Sequence, residues 1–343
     1  MAHARITLLT CLLSLGVAGQ ALATPAPGLK EVKSLKVGGE GGWDYITLDP
    51  EAGRIYLPRS NRVTVLDLEG NSKGVIADTA GVHGVALAPA LDRGWTSNGR
   101  ANTVTVFKLS TLEVLQTIKT TGNNPDAIIY EPATRQVFSF NGSGKNATVI
   151  DAASGAVTAT LDMGGKPEFA VADGKGRVYV NNEDTAEIWA IDARTRTVAA
   201  RWSLKPLHEP SGLAMDIAHG RLFSVAGNKL MAVLDVATGK LLKTLPIGAG
   251  CDGVAFDPGT GCAYAANGEG TVTVVKEGAD GQYQVIATVP SHRRARTLAV
   301  DEKSHKLYLP AADDAPLPVD AKPGQRPGLL PGSFQILVMG PGN

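Results

Sequence analysis

A unit of about 42 residues recurs seven times along this chain, and that repeat limits the possible folds more than any other feature. It is most legible at residues 252–275, DGVAFDPGTGCAYAANGEGTVTVV. Short runs carrying Val254, Phe256 and Tyr264 are separated by Pro258-Gly259-Thr260-Gly261, and Asn267-Gly268 turns the chain into Thr271-Val272-Thr273-Val274-Val275. Turn residues alternating with β-formers over so short a distance predict three antiparallel strands. One such sheet cannot bury its own faces, so the copies must pack on each other. Each copy carries an aromatic residue in its second strand: Tyr56, Trp95, Phe138, Tyr179, Phe223, Tyr264 and Tyr308, spaced 39, 43, 41, 44, 41 and 44 residues apart. This period, with three or four strands per unit, predicts an all-β, seven-bladed β-propeller. The 40 glycines and 20 prolines among 343 residues suit that many tight turns.

The ring must close. Residues 31–37, EVKSLKV, read as an outermost strand with no first three strands before it, while the last unit ends at its third strand, Phe334 to Met339. The N-terminal strand is therefore expected to complete blade 7 and remove the seam of an open ring.

Residues 1–23 stand apart from the repeat. Arg5, an apolar core from Ile6 to Leu15 and Ala21-Leu22-Ala23 form the pattern of a secretory signal peptide, too short to span a bilayer. Residues 24–343 then form one domain, expected in the periplasm, with no membrane span. Removing Arg5 leaves 32 basic against 33 acidic side chains, a balance that gives no global attraction to nucleic acid or anionic lipid. The mature chain keeps Cys251 and Cys262. Export favours a disulfide, but a hairpin around residues 258–261 would hold the two about 20 Å apart, so two free thiols are expected.

The repeats VYVNNEDTAEIWAIDART and VIDAASGAV resemble the YVTN-type β-propeller repeats of periplasmic YncE-like proteins, over nearly all of the mature chain. The resemblance implies the propeller and an exported protein. Relatives include surface proteins, electron-transfer subunits and haem-containing reductases, and the resemblance brings no general catalytic motif to these residues.

Most recurring polar residues read as scaffold. Asp49, Glu131, Asp173, Asp216, Asp257 and Asp301 end first strands, where a carboxylate caps turn amides; Asp151, Asp192 and Asp235 do the same after third strands. Asn98, Asn141, Asn182 and Asn267 open the second turns, where asparagine tolerates a left-handed backbone. His219 and His305 fall in turns on the opposite face and read as solvated.

One position behaves differently. Five residues before the end of each first strand stand Asp44, His83, Asp126, Glu168, Ser211, Asp252 and Arg296, polar in every copy and changing from blade to blade. First strands line the channel of a propeller, so these side chains should form a ring at one mouth, as a ligand site or a hydrated collar. Arg59, Arg62, Arg100, Arg293 and Arg294 join Arg296 on blades 7, 1 and 2, opposite Asp126, Glu168 and Asp252. A mouth with a basic and an acidic side would orient a polar ligand, with Arg59 and Arg294 added to its contacts. Trp43 offers a stacking surface there. Residues 312–332, ADDAPLPVDAKPGQRPGLLPG, replace a short turn with a loop holding five prolines, read as a semi-rigid lid over the same mouth.

No cofactor is expected. CxxCH is absent from the sequence, and Asp44, His83 and Asp126 on consecutive blades are a donor set for a hard divalent cation without the helix or CxxC spacing that usually supports one. The preferred reading is a non-catalytic binding or scaffold protein holding a small polar ligand or a partner's segment. The alternatives are a lactonase-like metal-dependent hydrolase with Asp126 as base, a redox-partner subunit and, least favoured by the neutral charge, a single-stranded nucleic-acid binder.

Overall fold

The computed structural model describes residues 28–318, 320–322 and 324–341; the expected signal peptide lies outside them. Seven four-stranded antiparallel sheets are present, and in six of them the four strands are consecutive in the chain. In the seventh, Leu29–Lys36 pairs with Gln335–Pro341, followed by Lys306–Ala311 and Ala299–Asp301. Register runs from Leu29↔Pro341 to Lys36↔Gln335 with one irregularity between Glu31 and Lys33. The N-terminal strand thus completes blade 7, as the repeat count requires. Among the described residues no helix is long and apolar enough to cross a membrane.

Blade 6 shows why these residues make these strands. Cys251–Asp257 and Cys262–Asn267 are joined through Asp257, whose carboxylate accepts from Gly259 N at 3.0 Å and Thr260 Oγ1 at 2.9 Å. Gly261 closes the turn at φ +65, a left-handed conformation that costs glycine nothing. Capping by Asp49, Glu131, Asp173, Asp216 and Asp301 repeats the device. The second turns differ from expectation. Their left-handed residues are Asn102, Lys145, Ala186, Lys229 and Gly270, at the far end of each turn. Asn98, Asn141 and Asn267 instead stay in the strand, fully buried, and each donates from Nδ2 to two side chains of the third strand.

Second-strand aromatics fill the space between blades. Trp95 stacks on Tyr130 of the next blade at 5.7 Å, and Phe223 on Phe256 at 5.4 Å. Both cysteines are free and buried. Cys251 pairs with Asn267 and Cys262 with Asp257, opposite ends of one hairpin. Burial pushes both thiols up, so neither is an activated nucleophile.

Candidate binding site at the channel mouth

Bulges place the ring residues. The inner strands Val82–Ala88, Pro125–Glu131, Pro167–Ala172, Pro210–Asp216 and Cys251–Asp257 each pair at their first residue, slip register, then resume pairing. His83, Asp126, Glu168, Ser211 and Asp252 sit in those slips, released from the ladder and re-aimed. In blades 1 and 7 the inner strand shrinks to Thr47–Asp49 and Ala299–Asp301, and Asp44 and Arg296 lie in the irregular segments before it. Glycines let neighbouring inner strands touch. A Cβ on Gly212 would lie 2.9 Å from Gly253 Cα, and one on Gly253 would lie 2.9 Å from Thr297 Cα.

Five of the seven ring residues form a continuous arc. Asp126 Oδ1 is 3.5 Å from His83 Nδ1, which donates to Asp44 Oδ2 at 2.6 Å. Asp44 Oδ1 is 3.7 Å from Arg296 Nη2, and Arg296 Nε donates to Asp252 Oδ2 at 2.8 Å. Charge therefore alternates from blade 3 through blades 2, 1 and 7 to blade 6, and the expected split into a basic and an acidic side does not form. Glu168 faces Lys166, whose Nζ is 3.2 Å away and also pairs with Glu183. Ser211 Oγ donates to the Cys251 carbonyl at 3.3 Å and reaches no charged neighbour.

Two expected ligand contacts are committed elsewhere. Arg59 is 1% exposed, donates to the carbonyls of Gly38, Glu40 and Gly41, and stacks 3.8 Å from the Phe334 centroid. It fastens the segment that leads from the closing strand into blade 1. Arg294 pairs with Asp314 and donates to the carbonyls of Pro327 and Gly328. Arg293 and His292 hold Asp314 and Asp313 at 3.4 and 2.9 Å. The proline-rich loop is thus docked on the run 292–294, its arms joined by an Asp314–Leu329 bridge, and none of its described residues lines the mouth cavity. We predict that Arg294→Ala speeds thermolysin cleavage near Leu329 while changing global stability by no more than about 1 kcal/mol, since it removes part-exposed pairs. Equal cleavage of variant and parent would show that the loop holds without that arginine.

The mouth contains a cavity of about 450 Å³ between blades 1 and 2, lined by Trp43, Asp44, Ser60, His83, Arg100 and Asn124 with nearby glycines. Trp43 is buried against Phe334 at 5.1 Å, with the Arg296 guanidinium 5.9 Å from its ring. Beneath the arc, Tyr45 meets Phe169 edge-on at 4.8 Å. Beyond them the channel becomes an apolar cavity of about 470 Å³ lined by residues such as Leu48, Ile129, Val171 and Val300. Among the described residues, the histidines other than His83 do not line the mouth cavity. His219 and His305 are not simply solvated, for each pairs with a capping carboxylate, Asp216 at 2.7 Å and Asp257 at 3.0 Å.

Electrostatics at the mouth is unbalanced. Asp44, Asp126, Glu168, Glu183 and Asp252 pair with His83, Lys166 and Arg296, and Arg100 adds one further cation on the cavity wall. Burial, then the Asp126 charge, pushes Glu168 up to about 8, against the pull of Lys166. Burial pushes Asp126 up to about 6, with His83 opposing and Asp44 adding to the rise. Burial works against protonating His83, but the Asp44 hydrogen bond and Asp126 carry it to about 9. Burial, then Asp126, Glu168, Asp44 and Asp252, raises the Tyr45 phenol well above its ordinary value. Asp126 Oδ1 is buried without a hydrogen-bond partner, and Glu168 Oε2 is buried with only the Lys166 ammonium, 3.2 Å away, beside it. Lys166 and Tyr45 were not singled out by the repeat. One stands two residues before a ring position, and the other reads as ordinary core beside Asp44.

No protein-family signature matches this sequence, and no curated protein matches it. Among solved structures the chain is similar to U3-55K, with a TM-score of 0.74 and 11% identity over 91% of this chain and 99% of that one. It is equally similar to the WD40 repeats of RRP9, with a TM-score of 0.74 and 11% identity over 92% and 99% of the two chains. At that identity the shared property is the propeller fold.

Proposed function

We propose that this chain is an exported propeller of the YVTN type that acts as a binding protein, holding a small, positively charged polar ligand in the mouth cavity. The observation that carries this reading is the surplus of carboxylates, one of which, Asp126, has a buried oxygen without a hydrogen-bond partner. A buried carboxylate gains most from a cation that arrives in the same low-dielectric space. Trp43 supplies an apolar wall, and Ser60, Asn124 and Arg100 supply polar groups around it, the usual make-up of a small-molecule site. The YVTN assignment is supported by the repeats at 149–157 and 178–195 together with seven-blade closure. Export is supported by residues 1–23, and sequencing the protein recovered from the periplasm should start at Thr24.

A thermal-shift panel of organic amines, amino acids and dicarboxylates tests the binding reading on the mature chain. Cationic members should raise the melting temperature, and the double variant Asp44→Asn, Trp43→Leu should lose that response. Equal stabilisation by anionic members would remove the charge argument.

A further inference from the structure

We propose that the cation drawn to the mouth is a single divalent metal ion held by Asp44, His83 and Asp126. This inference rests on the reading of the mouth as a cation site and narrows it. The three residues offer one donor atom each, and those atoms all lie within 4.8 Å of one another. Asp126 provides the second, independent sign. The residue is only 6% exposed, and its Oδ1 has no hydrogen-bond partner although it faces His83 Nδ1 at 3.5 Å. Leaving a buried carboxylate oxygen unbonded is costly, and a metal ion between it and the imidazole removes that cost.

The imidazole is positioned for this from behind. A Cβ on Gly99 would lie 2.7 Å from His83 Nε2 and 2.7 Å from Asn124 Oδ1, so the glycine makes room for the ring and leaves Nδ1 turned toward both carboxylates. Bonds of about 2.0–2.2 Å to nitrogen and carboxylate oxygen place neighbouring ligand atoms roughly 3–3.5 Å apart. The present separations, 2.6 Å to Asp44 and 3.5 Å to Asp126, straddle that spacing. Binding replaces the proton shared by His83 Nδ1 and Asp44 Oδ2, and that proton leaves to solvent. One imidazole with two carboxylates suits Zn²⁺ or Mn²⁺ better than Ca²⁺, which prefers six to eight oxygens. Asp44 and His83 also line the cavity, so open coordination positions would face it, as in sites that bind a further ligand through the metal.

The test uses the mature chain after dialysis against EDTA, titrated calorimetrically with ZnCl₂ and separately with MnCl₂. We expect uptake of one equivalent of at least one ion with micromolar or tighter affinity, weakened at least 30-fold by Asp126→Asn. Because that residue is buried, Asp44→Asn is measured in parallel, and both variants are checked for parent-like circular dichroism. Co²⁺ should give visible bands in the parent that His83→Gln abolishes. Asp184→Asn, at an exposed pair with Lys145, should leave binding unchanged. Absence of stoichiometric uptake, or equal affinity in the parent and in folded Asp126→Asn and Asp44→Asn, would overturn the assignment. If organic cations stabilise the chain while neither metal ion binds, the metal assignment falls and the mouth reading stands. If neither binds, both fall.

Discussion

Deleting residues 28–36 should leave a chain that no longer melts as one cooperative unit. The strand they carry, Leu29–Lys36, is the outer strand of blade 7 and the link that joins the last blade to the start of the chain. Without it Gln335–Pro341 becomes a free edge, and Ile336, Leu337, Val338 and Met339, all at most 3% exposed, lose cover. Leu29 and Leu35 are themselves buried, and burying two leucines stabilises a fold by about 3–6 kcal/mol before any hydrogen bond is counted. That is comparable with the ~5–15 kcal/mol by which a domain is stable at all. An exposed apolar edge also invites association. The expected result is a broad, low melting transition with aggregates on gel filtration, partly reversed by a synthetic peptide of residues 28–37. A deleted chain that melts within about 3 °C of the parent would mean the ring is held by blade packing alone.

The period, the blade number and the closing strand were legible because they depend on local chemistry repeated in order. An aromatic residue about every 42 positions and an acidic residue before six of the seven first turns report strands and caps wherever they fall. The ring was legible as a position, since seven unlike polar residues stand where a scaffold would repeat one. Its electrostatics was not, because charge at a site depends on partners that sequence spacing does not show. Arg59 reads as a ligand contact on the basic side of the mouth until its guanidinium is seen against three backbone carbonyls and Phe334. Arg293 and Arg294 count toward a basic side until Asp314 of the loop takes them both. With those three committed and Arg62 donating to the Glu40 carbonyl, Arg100 stays on the cavity wall and Arg296 bridges Asp252 and Asp44, so an apparent dipole becomes an alternating arc. The bulges escaped for a related reason. A register slip is a property of two strands together, and only the proline before Asp126, Glu168 and Ser211 hinted at it.

Replacing Glu168 by Gln should stabilise the metal-free protein above about pH 8 and leave it unchanged below about pH 5. Burial and the neighbouring Asp126 hold the folded Glu168 carboxyl at about 8, while its ordinary value is 4.5. A group whose pKa rises on folding favours the native state in its protonated form. That contribution is complete below 4.5 and is lost as pH climbs through about 8. At ~1.4 kcal/mol per pH unit, ionising Glu168 costs the folded protein on the order of 5 kcal/mol, since Asp126, at about 6, is already charged at that pH. Glutamine keeps the volume and cannot ionise, so the melting temperatures of variant and parent should coincide at pH 4.5 and diverge to a plateau near pH 9. Lys166 retains Glu183 as its partner in the variant, so no new buried charge is stranded. A divalent ion bound at Asp126 would weaken the repulsion and shrink the gap. If the variant instead melts below the parent at pH 9, the 3.2 Å pair with Lys166 outweighs burial, and Glu168 stands ionised in the native mouth.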